Sequence, residues 1–161
     1  MPNIKLNFPM QNQQQTLWCW AAVSVSTALF YSSSSIWTQC GVVDAELNQC
    51  NCCTNGASPG CNKQWYLDTA LARVGHLSHW VPRAASFSDC DQELMGSRPV
   101  GVHIAWTPFT GHFVVISGIG DNVNQLITVQ DPANGFTTIP YGTFVSAYMG
   151  SGTWDESFFT Q

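Results

Sequence analysis

Three residues of this chain have the types, order and surroundings needed for nucleophilic catalysis: Cys19, His112 and Asp131. Cys19 sits in Gln13-Gln14-Gln15-Thr16-Leu17-Trp18-Cys19-Trp20-Ala21-Ala22, at the start of an apolar run and six residues after Gln13. From Leu17 to Phe30 there is no Gly or Pro, and Leu17, Trp20, Ala21, Ser24, Ala28 and Leu29 fall near helical spacing, which predicts a helix. A thiol in the first turn of a helix faces the positive end of the macrodipole, which favours the nucleophilic thiolate. The competing reading, an inert buried cysteine, holds unless partner residues accompany it.

The partners lie in Gly111-His112-Phe113-Val114-Val115 and Val129-Gln130-Asp131-Pro132. His112 opens one predicted strand and Asp131 closes the next, equidistant from the Asp121-Asn122 step, so a hairpin turning there sets the two side chains across from each other. A carboxylate facing a histidine fixes its tautomer and stabilises the imidazolium, as a Cys-His pair requires. Taken alone, His and Asp are ordinary turn residues. Combined with Cys19 and a glutamine upstream, they form a catalytic set, with Asn134 as the alternative neighbour should Asp131 face solvent.

The elements that must position these residues change period along the chain. A second helix is predicted through Trp65, Leu67, Leu71 and Val74, capped by Asn62 and closed by Gly75, and a third from Ser88-Asp89-Cys90-Asp91 to Gly96. After Pro99, Val100, Val102, Ile104 and Trp106 alternate with Gly101, His103 and Ala105, the signature of a half-buried strand. Further strands are predicted over 113–119, 126–129, 136–139 and 153–160, with a brief helix over 143–148. Helices first and antiparallel strands second predict an α+β fold in one domain, residues 1–161, with a mainly helical part over 1–98 and a mainly β part over 99–161.

Composition narrows the function. Charged residues are only 9% of the chain and the net charge is −5, with Lys5, Lys63, Arg73, Arg83 and Arg98 scattered rather than clustered. No basic stripe exists to follow a phosphate backbone, so nucleic acid is not an expected partner. No run of apolar residues is long enough to span a membrane, and residues 1–15 are polar without a signal-type apolar core. Seven cysteines leave an even six once Cys19 is set aside, five of them between Cys40 and Cys61 in a stretch rich in Asn, Gly, Ser and Pro. We expect a disulfide-pinned loop, three disulfides in total with Cys19 alone reduced, and an exported protein, secreted, periplasmic or delivered into a target cell. A zinc site from Cys50, Cys52 and Cys53 with Cys61 or His76 and His79 lacks the expected paired spacing, so no metal or other cofactor is expected.

The chain resembles papain-like cysteine proteases in a compact bacterial form: Gln13, Cys19-Trp20 at a helix start, Gly111-His112-Phe113-Val114-Val115 and Asp131-Pro132 match in order and spacing. It is similar to staphopain-like and plant-pathogen effector proteases and to exporter leader peptidases. The resemblance implies a two-lobed fold, a Cys19–His112–Asp131 triad and a Gln13 side chain that donates to the oxyanion, with Gln14 as its rival. Asp131 stands where papain itself has asparagine. Trp18, Trp20, Trp106 and Phe113 are read as core rather than as substrate contacts. The expected activity is hydrolysis of a protein or peptide; the stretch before Cys19 is too short for an inhibitory domain, so latency is expected from a separate proteinaceous inhibitor or immunity protein, a removed segment or an absent substrate. An amidase, transglutaminase or peptidoglycan-peptide hydrolase would use the same group, and a silent binding module would keep the fold without the chemistry.

Overall fold

The structure, a computed structural model, describes residues 3–161. Among the described residues the helices are α1 (Cys19–Tyr31), α2 (Gln39–Leu47), α3 (Leu67–Val74), α4 (Phe87–Met95) and α5 (Tyr141–Ala147). The strands are β1 (Ile4–Lys5), β2 (Leu77–Val81), β3 (Val100–Thr107), β4 (Thr110–Gly120), β5 (Leu126–Asp131), β6 (Gly135–Pro140) and β7 (Thr153–Thr160). All strands join one antiparallel sheet in the order β2-β7-β3-β4-β5-β6, with β1 paired to the far half of β4. Mixed helix and antiparallel sheet is the α+β content expected of the sequence. No helix among the described residues is long and apolar enough to cross a membrane.

The sheet divides two apolar cores, because residues alternate faces along each strand. Phe113, Val115 and Phe158 face a core built with α1, α2 and α3. Val102, Ile104, Val114 and Ile116 face the other, built with Cys90 and Leu94 of α4 and Phe144 of α5. Strand β4 therefore carries apolar residues on both faces, and it is buried from His112 to Ile119.

Helix α1 has no polar face at all: every residue from Cys19 to Ala28 is buried. A helix that is apolar all round must be enclosed, and its small residues let neighbours approach. The buried hydroxyls are satisfied locally, Ser24 Oγ donating to the Ala21 carbonyl at 3.0 Å and Thr27 Oγ1 to the Val23 carbonyl at 2.8 Å. The two tryptophans that flank Cys19 fasten the helix start: Trp18 Nε1 donates to the Cys61 carbonyl and Trp20 Nε1 to the Lys63 carbonyl, both at 2.9 Å. Gly56 lies so close to the Trp18 ring that a Cβ there would come within 2.8 Å of it. The cysteine-rich segment is thus the wall against which the nucleophile's helix is set.

That segment differs from the expected loop. Residues 39–47 form α2, because Thr38 Oγ1 accepts from the Gly41 N–H at 3.1 Å and Asn48 closes the helix in the left-handed region, φ 52°. Two disulfides form rather than three, Cys40–Cys53 and Cys52–Cys61, leaving Cys50 exposed and Cys19 and Cys90 buried and unpaired. Cys90 cannot join the loop cysteines because α4 turns it into the other core; burial first, then Asp89 and Glu93, push its thiol up to about 12. Of the four loop thiols weighed as zinc ligands, Cys52, Cys53 and Cys61 are consumed by disulfides and only Cys50 is left. In the chain-entropy account, loops of this size contribute roughly 2–4 kcal/mol each.

Smaller departures have equally local causes. Asn62 does not cap α3, whose first flanking residue is Tyr66; its side chain instead accepts from the Leu17 N–H at 2.9 Å and donates to Thr16 Oγ1 at 2.8 Å. Ser86, not Ser88, caps α4, in a reciprocal box with Asp89. Strand β2 places sheet within the part expected to be helical, held by pairing with β7.

The unequal cysteines give a direct test. Iodoacetamide added to the native, unreduced protein should label Cys50 and Cys19, reach Cys90 only after denaturation, and reach the other four only after reduction, as read by peptide mass mapping. Native labelling of Cys90, or of Cys40 without reductant, would contradict this arrangement.

Candidate active site

Cys19 is the first residue of α1, and no side chain caps that helix end. The leading N–H groups are therefore free to meet an anionic or carbonyl oxygen beside the sulfur. His112 comes from β4 and is buried, 8% exposed. Its Nε2 lies 2.7 Å from Oδ1 of Asp131 at the end of β5. Cys19 lies near enough to His112 to favour the charged imidazole. With Nε2 committed to Asp131, Nδ1 is the ring atom left for the sulfur.

The hairpin reaches this contact by a route the residue count does not give. The β4–β5 turn spans Asp121–Gln125, and a bulge at Ser117 then shifts the register, so Val115 pairs with Gln130. Continued by one residue, that register sets Asp131 beside Val114. His112 and Asp131 are diagonal rather than directly opposed, which long side chains still bridge.

Asp131 is 1% exposed and heavily hydrogen-bonded. Oδ1 also accepts from the Ala133 and Asn134 N–H groups at 2.8 and 3.2 Å, while Oδ2 accepts from Asn134 Nδ2 at 3.0 Å and from the Tyr148 hydroxyl at 2.8 Å. Burial opposes its charge, but His112 and these donors outweigh burial and hold the carboxyl at about 2. Burial likewise disfavours the imidazolium of His112, yet Asp131 and Cys19 together raise it to about 9. Burial and the adjacent Asp131 keep the Tyr148 phenol protonated, raising it well above its ordinary value, so it remains a donor. The indole of Trp106 lies nearly parallel to both the His112 and Tyr148 rings, with centroids 6.4 and 6.2 Å away, and covers this row.

Gln13 lies on a strap tied from both sides. Its N–H donates to the Pro132 carbonyl, next to Asp131, at 2.9 Å. Gln39, 1% exposed, holds the neighbouring Asn12 carbonyl at 2.9 Å and Gln14 N–H at 3.0 Å. The Gln13 amide nitrogen donates to the Gln15 and Thr16 carbonyls, at 3.0 and 2.8 Å, and its Oε1 is buried without a partner. Gln14 is exposed.

Sequence reasoning named Cys19, His112, Asp131 and Gln13, and missed what Tyr148, Asn134 and Trp106 do. Asn134 carried a signal, as a turn residue just after Asp131; Tyr148 carried none. Among the described residues one group, His103, Asp155 and Glu156, brings three ligand-type atoms within 4.8 Å of one another. His103 Nδ1 is already bonded to Asp155 Oδ1 at 2.7 Å and Glu156 Oε2 accepts from Trp80 Nε1 at 2.6 Å, which explains the group without an ion.

A family model for the papain-like cysteine protease AvrRpt2, Peptidase_C70, matches residues 2–148. The chain belongs to this papain-like cysteine protease family. No curated protein matches it in sequence. Membership supports cysteine peptidase activity for the chain.

The pKa directions give signed expectations. The value of about 9 at His112 lies above an unfolded value near ~6.5, so its stabilising contribution is complete below that and is lost as pH rises through about 9. The value of about 2 at Asp131 lies below an unfolded value near ~3.9, so its contribution is present above that and is lost as pH falls through about 2. A pH profile of kcat/KM should accordingly show an alkaline limb near pH 9. Asp131→Asn should move that limb downward; an unchanged limb would mean that Asp131 does not support the imidazolium.

Proposed function

We propose that this peptidase cleaves peptide bonds through a Cys19–His112–Asp131 triad, in a single two-lobed unit spanning residues 1–161 whose cleft runs between α1 and the sheet. The observation that carries the reading is the buried row of hydrogen bonds from His112 through Asp131 to Tyr148, with Cys19 at the start of α1 beside the imidazole and favouring its charge. Such a row orients the imidazole and keeps it charged opposite the sulfur.

In this mechanism Cys19 Sγ attacks the substrate carbonyl carbon, and the carbonyl oxygen becomes an oxyanion. The Cys19 N–H at the uncapped start of α1 meets that oxygen, joined by the Gln13 amide once it exchanges one of its two loop carbonyls for the substrate. Each such donor is worth on the order of 3 kcal/mol. His112 gives its Nδ1 proton to the leaving amine, which breaks the C–N bond and leaves a thioester on Cys19. The neutral imidazole then takes a proton from water as the water attacks the thioester, releasing the acid and restoring Sγ. Asp131 orients and does not itself exchange a proton.

Two disulfides support a protein that works outside a reducing cytoplasm or after delivery into a target cell. A proteinaceous inhibitor occupying the cleft fits the same reading as the means of silencing it.

Cys19→Ala and His112→Ala should each abolish cleavage of a casein or peptide substrate and lose activity to the same extent, because members of one catalytic unit are not additive. Asp131→Ala should cost less than either, and Gln13→Ala should lower kcat by about 10²–10³-fold if its amide meets the oxyanion. Wild-type cleavage by Cys19→Ala, with circular dichroism unchanged, would sink the mechanism.

A further inference from the structure

Next to the hollow that contains Cys19 lies a cavity of about 330 Å³, and Gln64, Trp65, His103 and Phe113 line both. Its buried walls are Leu67 from the start of α3, Phe113 from β4 and Phe158 from β7. Phe113 and Phe158 meet edge to face at 5.7 Å, which gives the cavity a firm apolar sheath. Its acidic lining is Asp68 and Glu156; no Lys or Arg lines it, and its one imidazole, His103, is bonded to Asp155 at 2.7 Å. The adjoining hollow, about 280 Å³, shares His103, adds Asp155 and again has no Lys or Arg.

Glu156 is held in place for this role. Trp80 Nε1 donates to Oε2 at 2.6 Å, while Oε1 lies 3.7 Å from His103 Nδ1, whose nearer partner at 2.7 Å is Asp155. Three acids of the chain pair with guanidinium groups, Glu46 with Arg73, Glu93 with Arg98 and Asp89 with Arg83. Asp68 and Glu156 have no Lys or Arg partner among these pairs. Gly111 keeps the hollow open, because a Cβ there would collide with the His103 ring.

We propose that this cavity is the subsite for a lysine or arginine side chain of the substrate, close to the scissile bond, and that Glu156 and Asp68 select it; the proposal rests on the cysteine peptidase reading. A long cationic side chain buries an aliphatic stem while its head stays polar, which matches apolar walls ending in carboxylates. The Trp65 ring adds a face on which a cation can rest. An aliphatic or aromatic substrate residue would satisfy the walls but strip water from two carboxylates without replacing it. An acidic residue would meet like charge. Charge patterns of this kind act through discrimination between substrates more than through raw affinity.

The test uses the full-length chain and fluorogenic peptide mixtures in which each position flanking the bond is varied in turn. At one position, Lys and Arg should exceed Leu and Phe in kcat/KM by about tenfold, and Asp and Glu by more. Glu156→Lys should invert that order towards Asp and Glu, while iodoacetamide still labels Cys19 at the wild-type rate. Should that variant fail to fold, Glu156→Gln and Asp68→Asn should each reduce the Lys-to-Leu ratio several-fold. A wild-type preference for Leu or Phe at every position, or a ratio indifferent to all three substitutions, overturns the proposal. Failure of the peptidase reading looks different: no peptide is cleaved although the protein is folded, and the subsite falls with it.

Discussion

A reactive thiol at the head of a helix is only useful if that head is immobile, and here the constraint is met by two indoles. Trp18 and Trp20 bracket Cys19, and each spends its one polar hydrogen on a carbonyl of the same cross-linked segment. Both rings are fully enclosed, so unmaking either bond would strand a buried donor, which costs about 1–3 kcal/mol. The disulfide Cys52–Cys61 braces the far side of that contact. The cysteine-rich segment, which has few apolar residues of its own, therefore serves as a rigid backstop for the nucleophile rather than as a decoration of the surface.

On the sheet, precision comes from a carboxylate with almost no freedom. Asp131 receives hydrogen bonds from two backbone N–H groups, a carboxamide, a phenol and the imidazole. Donors of that number do two things at once: they keep the carboxyl ionised in a buried place, and they leave it a single orientation towards His112. The Gln13 strap is fastened to the same turn through Pro132. The acid, the base and the glutamine thus share one framework, although they come from three separate parts of the chain.

The candidate residues that the fold brings together were legible in the sequence through residue type and position at the ends of apolar segments. Cys19 stands at the head of one apolar run and His112 at the head of another, and both positions can be read without tertiary knowledge. Strands with clear alternation, such as Val100–Thr107 and Leu126–Asp131, were legible for the same reason. What escaped was decided by contacts between distant segments. Helix α2 buries only Gln39, Val42 and Val43, so it shows no stripe; a threonine cap and a disulfide hold it. The third disulfide failed because Cys90 faces a core that the sheet separates from the loop. Asn62 has a capping side chain, yet the residues it satisfies lie before α1. Tyr148 is an unremarkable aromatic in the sequence, and only the path of the chain after α5 brings its hydroxyl to Asp131.

The absence of any polar face on α1 bears on how activity is born. A helix buried on every side from Cys19 to Ala28 has little reason to stay helical until its neighbours enclose it. The strands that enclose it, β4 and β7, arrive late in the chain, and the same β4 brings the imidazole. Until that closure, the cysteine is an ordinary thiol with neither a fixed helix end nor a proton acceptor beside it. The fixed helix end and the imidazole beside Cys19 therefore arise in the same event that completes the core.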